Sequence, residues 1–171
     1  MKLLKTIFFW MPALVLALMM TSCGGSDSSR QAGEVLVDEL GIAIQGFDPV
    51  AYHLVGTAVQ GKAEYATQWN AATWWFSSNV NRQLFITSPK KYAPAYGGWC
   101  AFGIADGYAA ETDPINAWTI HQGQLYLNWN AQVSTDWNAD KAGYLEKSEP
   151  KWSTVQKQLQ QGKATVHWHK T

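Results

Sequence analysis

The chain has 171 residues, equal numbers of acidic and basic side chains, and 47% hydrophobic residues. That length suits one domain of ordinary size, and a chain with no net charge and no basic stripe offers little to a phosphate backbone, so no nucleic-acid partner is expected.

Lys2 and Lys5 precede an apolar run over residues 7–20, shorter than the ~20 residues a membrane-spanning helix needs. Residues 1–22 therefore read as a signal peptide. It ends in Met20, Thr21, Ser22 and Cys23, similar to the bacterial lipobox, in which the cysteine is acylated and becomes the mature N-terminus. Residues 23–34, rich in Gly and Ser, read as a flexible tether, and residues 35–160 as the folded domain. Residues 161–171 read as a C-terminal tail. No aspartate follows Cys23 directly, so the expected location is the periplasmic face of the cell envelope, at the outer membrane, with the membrane itself as a partner through the lipid.

Along the domain, "GIAIQG" at residues 41–46 predicts a short strand. Asp48 before Pro49 supplies a capping carboxylate and a residue suited to the first helical position, opening a short helix through "VAYHLV". Residues 63–69 and 73–78, rich in aromatic and β-branched side chains, predict a hairpin. Ser78 can cap a helix through "NVNRQLFI", and Ser88 before Pro89 repeats the arrangement for "KKYAPAY", which Gly97 and Gly98 then break. "AWTI" and "QLYLNW" flank a glycine-bearing turn and predict a second hairpin. Beyond Ser134, Trp137, Tyr144 and Leu145, then Trp152, Val155 and Leu159, have the spacing of two amphipathic helices. The sum is a single small α+β domain of four short strands, paired as antiparallel hairpins, with packed short helices. The chain is tryptophan-rich, and core filling is the first role for rings of this size. Arg82 is a candidate partner for Asp48 in a bidentate pair across the domain.

The segments "GFDPVAYH", "WWFSSNVNRQLF", "SPKKYAPAYGGWCAFGIADG", "DPINAWTI", "GQLYLNWN" and the W-x-x-D at residues 137–140 follow one another over residues 41–153. In order and spacing they resemble the exported YHS-domain proteins, a group of bacterial lipoproteins and periplasmic proteins. YHS domains in turn resemble metal-associated modules of copper-transporting ATPases, in which a cysteine follows Asp-Pro-Val. Here Ala51 stands in that place, and Cys100 matches the cysteine that the exported branch keeps.

With Cys23 acylated, Cys100 is left as an unpaired thiol in an oxidising compartment. Three roles are open to it. As a metal ligand it would suit copper or zinc, with His53 and His121 as first candidate partners. His167 and His169 would share a face if the tail is extended. As a redox nucleophile it would need a lowered pKa, which the first turn of a helix through "CAFGIADG" could help to supply, although no catalytic partner stands at a telling spacing. As a packing residue it would lie buried beside Trp99 and Phe102. The expected function is a lipid-anchored envelope binding module for a transition metal or small ligand. The alternatives are a thiol-dependent redox enzyme, or an aromatic platform for glycans or peptides.

Overall fold

A computed structural model describes residues 32–170. Cys23, the signal segment and most of the expected tether lie outside the described residues. The described chain is pinned from its start, two residues before the expected domain boundary. The Gly33 carbonyl accepts from the Trp99 indole at 3.0 Å. Glu34 accepts from Asn70, Gln156 and Gln160.

The fold is α+β. Its elements are α1 (Pro49–Leu54), β1 (Lys62–Trp69), β2 (Ala72–Phe76), α2 (Asn79–Thr87), α3 (Pro89–Tyr92), α4 (Ala101–Asp106) and β3 (Ala109–Ala110), then β4 (Trp118–His121), β5 (Gln124–Leu127), α5 (Ala131–Ala139), α6 (Lys141–Gln160) and β6 (Val166–His167). The strands form three two-stranded sheets, β1 with β2, β4 with β5, and β3 with β6. The first two are the expected antiparallel hairpins. Each closes through two residues of positive φ, Asn70 and Ala71 in one and Gln122 and Gly123 in the other, the backbone a tight hairpin loop needs to match strand twist. The third pair is parallel and uses the tail. Ala109 lies opposite Val166 and Ala110 opposite His167.

Residues 41–46 do not form the expected strand. Ile42 and Ala43 make isolated bridges, and Ile44, Gln45 and Gly46, all at positive φ, then turn the chain. The Asp48 cap is present, accepting from Val50 N at 2.9 Å and Ala51 N at 3.3 Å. Its other oxygen accepts from Ser77 N, Ser77 Oγ and Asn81 Nδ2. These donors, rather than Arg82, hold the carboxyl. Arg82 donates its Nε to the Ala66 carbonyl. Ser78 caps α2 through Asn81 N, whereas Ser88 makes no side-chain cap and α3 ends before Pro94. The two C-terminal helices divide at Asp140, which caps α6, so Trp137 lies alone in α5 and the other apolar positions fall on α6, which continues through Pro150.

Two aromatic cores result. The first joins β1, β2, α1, α2 and β5 around Trp74, Phe76, Phe85 and Tyr52. The second joins α4, α5 and α6 around Trp99, Ile104, Trp137, Val155 and Leu159, with Val166 and Trp168 of the C-terminal segment packed against it. Residues 161–170 are therefore part of the folded unit. The core role of the tryptophans holds for Trp74, Trp99 and Trp137, each with 0% of its surface exposed.

Candidate functional site

The approach to Cys100 is a tight 3-10 turn over Ala95–Gly98. Gly97 has φ of 62°, and a Cβ there would lie 2.0 Å from the Glu34 carbonyl oxygen. Its own carbonyl accepts from Leu36 N at 2.9 Å. The glycine thus serves the close passage of the incoming chain, not a ligand.

Cys100 is the N-cap residue of α4. Its amide donates to the Ala110 carbonyl on β3, and its carbonyl accepts from Ile104 N. The residue is buried and its thiol is free. Sγ lies 3.7 Å from Asn128 Oδ1, which also accepts from Phe102 N at 3.1 Å. This fixes the amide's orientation, because the Phe102 donor requires the oxygen on that side. Asn128 Nδ2 is buried and finds no partner among the described residues. Burial pushes the thiol pKa up, the amides of Gly103, Trp129 and Phe102 pull against it, and the Asp106 carboxylate adds to the rise. The thiol is accordingly held in its protonated form, the opposite of what a thiolate nucleophile needs.

One side of Cys100 opens on a cavity of about 210 Å³. Phe102, Tyr108 and Trp129 form its aromatic walls, Ala110 and Val133 its small and aliphatic ones, and His167 completes it. Each aromatic wall meets a second ring. Tyr144 lies 4.9 Å from Phe102, His167 4.7 Å from Tyr108, and His169 3.9 Å from Trp129, centroid to centroid. Gly103 lets Tyr108 lie against α4, since a Cβ there would come within 2.9 Å of the tyrosine ring. His169 is fixed by the Glu111 carboxylate, which accepts its backbone amide at 2.9 Å, and its Nε2 lies 3.0 Å from the Trp129 carbonyl. A more polar cavity of about 250 Å³, lined by Asp113, Asn130 and His169 among others, shares Trp129 with the cavity at Cys100. The larger groove, about 630 Å³, runs between residues 32–37 and the end of α6, and its carboxylate, Glu34, is already held by three amides.

The expected histidine partners are elsewhere. His53, on α1, packs edge-on against Tyr92, and His121 ends β4 opposite Gln124. Burial lowers the His53 pKa, against an opposing hydrogen bond to the Tyr92 carbonyl and with help from Lys91, and its Nε2 is buried without a partner among the described residues. Neither histidine lines the cavity at Cys100. Among the described residues no group of three or more His, Cys, Asp or Glu side chains is placed to hold a metal ion, so Cys100, His53 and His121 do not fit a shared metal centre. The imidazole that shares the cavity is His167.

Of the expected neighbours of the thiol, Phe102 is at the cavity and Trp99 packs on Trp168 instead. Tyr108, Asn128 and Trp129 are the residues sequence reasoning misses. Trp129 left one trace, since it continues the alternation of the buried Leu125 and Leu127 beyond the end of β5. His167 is named beside His169 as a possible partner in an extended tail, but its place at the thiol depends on a parallel pairing with residues far back in the chain. Among the described residues no helix is long and apolar enough to cross a membrane. Comparison with protein-family models, curated proteins and solved structures gives no match.

Proposed function

We propose that this chain is a lipid-anchored binding module of the cell envelope, of the exported YHS-domain type, whose ligand site is the aromatic cavity beside Cys100. The observation that carries the reading is the cavity itself: three aromatic walls, small aliphatic residues and a protonated thiol make a concave, largely apolar pocket with few polar groups, the usual character of a small-molecule site. Its volume, about 210 Å³, exceeds the ~150 Å³ that accepts a benzene-sized guest. The raised thiol pKa disfavours the alternative of a redox enzyme built on a reactive thiolate.

Titration of the full chain, in a maltoside detergent, with indole and phenol tests the reading. Saturable NMR shifts at Phe102, Trp129 and His167 are expected, and loss of them in Val133→Trp, which fills the cavity from the partly exposed α5. Probes that never saturate would count against it. The anchor has its own test: Cys23→Ala should release soluble protein or leave an uncleaved precursor, and unchanged membrane fractionation with no acyl group on the wild type would refute it.

A second reading, a copper or zinc site, draws on Cys100 and His167 lining one cavity. Uptake of one equivalent of Cu(I) or Zn(II), weakened at least ~10-fold by Cys100→Ser and by His167→Ala but not by His53→Ala or His121→Ala, would support it.

A further inference from the structure

Taking the cavity at Cys100 as the ligand site, we infer that it is built for a small organic cation of the quaternary ammonium type. The walls are the first ground. Phe102, Tyr108 and Trp129 surround a single cavity, and a ring of aromatic side chains attracts an alkylammonium group through the negative faces of the rings while tolerating its apolar surface. Tyr144 and His169 pack on Phe102 and Trp129, and His167, itself in the lining, packs on Tyr108, so little ordering is left for binding.

Charge is the second ground. No lysine or arginine lines the cavity, and the carboxylate of Asp106, at the end of α4, acts on Tyr108 and Cys100 alike. Lys151, which packs against the end of α4, is tied to the Ala105 carbonyl. The cavity lining thus carries no lysine or arginine to repel a positively charged guest. A hydrated ammonium or metal ion gains little from such walls because it must give up strong hydration, whereas a quaternary ammonium is weakly hydrated and has no donor that must be satisfied. The thiol's role is then steric and polarisable, closing one wall without presenting a charge.

Choline and its carbon isostere, with a tert-butyl group in place of the trimethylammonium, separate charge from shape. They are titrated against the full chain in a maltoside detergent at pH 8. Choline is expected to bind at least ~10-fold more tightly than the isostere. Trp129→Leu should remove most of that preference while leaving isostere binding in place. Should that variant fail to fold, Asp106→Asn, at an exposed position, is expected to weaken choline a few-fold and leave the isostere unaffected. Equal affinity for the two ligands overturns the inference and leaves the cavity reading intact. Absence of binding by either overturns it as well, and the separate indole titration then reports whether the cavity takes any ligand at all.

Discussion

The two cores are both aromatic, yet they are finished differently. In the first, Asp48 has 0% of its surface exposed and its carboxyl accepts from two cap amides of α1, from the amide and hydroxyl of Ser77 just after β2, and from the Asn81 side chain on α2. In the second, a buried thiol lies at the wall of a cavity, Asn128 Nδ2 and Trp137 Nε1 are buried without partners among the described residues, and the wall opposite depends on the last few residues of the chain. The first core has an unpartnered atom of its own, His53 Nε2 beside Tyr92, so the difference lies in its fully satisfied carboxylate and in the open space at the buried thiol of the second.

The sharpest way to break the comparison is to cut the first core's polar hub. Asp48→Ala leaves two backbone amides and three side-chain or backbone donors from Ser77 and Asn81 without their acceptor. A loss of about 3–4 kcal/mol is expected in chemical denaturation. Asn128→Ala, in the second core, should cost about 1–2 kcal/mol, because one of its amide groups has no partner to lose. Similar losses from the two variants would contradict the contrast.

Alkaline pH sharpens it next. Burial raises the pKa of Cys100 from its ordinary 9.0, raises Tyr96 to about 12, and raises Tyr52, where Asp113 and Asp48 add to the effect. Each of these groups keeps its proton in the folded chain after the unfolded chain has released it. Their contribution to stability is therefore full below the unfolded values and lost as pH rises. Stability should fall from about pH 9 for the thiol and from about pH 10 for the tyrosines, by up to ~1.4 kcal/mol per pH unit for each group. Cys100→Ala should remove the decline that begins near pH 9 and leave that beginning near pH 10, as read from urea midpoints across the range.

Smaller effects come from the cavity walls. Gly103→Ala gains helix propensity but drives a methyl toward the Tyr108 ring and carbonyl, so a net loss of about 1 kcal/mol is expected, with altered ring-current shifts at His167. Ala110→Val, which adds bulk beside empty space, should gain about 0.5 kcal/mol in thermal unfolding. Ala72→Val, in the filled first core, should lose about 1 kcal/mol by overpacking.

Much of the first core is legible in the sequence because its instructions are local. Asp48 before Pro49, Ser78 ahead of α2 and the alternation of Ala72, Trp74 and Phe76 each act within a few residues. Where local signals compete, the reading fails. The β-branched residues of 41–46 suggest a strand, but Gly41 and Gly46 frame a turn that leaves only isolated bridges. The pairing of Asp48 with Arg82 is a reasonable match of charges, yet the neutral donors of Ser77 and Asn81 stand closer in the folded chain. At the candidate site Cys100 and Phe102 are legible, and His167 only as one of several possible imidazoles. Tyr108, Asn128, Trp129 and His167 converge on the thiol through the β3–β6 pairing and the packing of β5 and α5, which no short window of sequence encodes.

Whether Cys100 faces a usable cavity or is only packed is read by methylthiolation with a small apolar reagent, followed at Cys100 by peptide mass in the native full chain and in Val133→Trp. Labelling of the native protein is expected to be slow, because the raised pKa leaves little thiolate, yet independent of denaturant and slowed at least a further ~10-fold by the cavity-filling variant, while a bulky maleimide labels only on unfolding. Labelling by the small reagent that requires denaturant in both proteins, at the rate of global opening, would contradict a usable cavity.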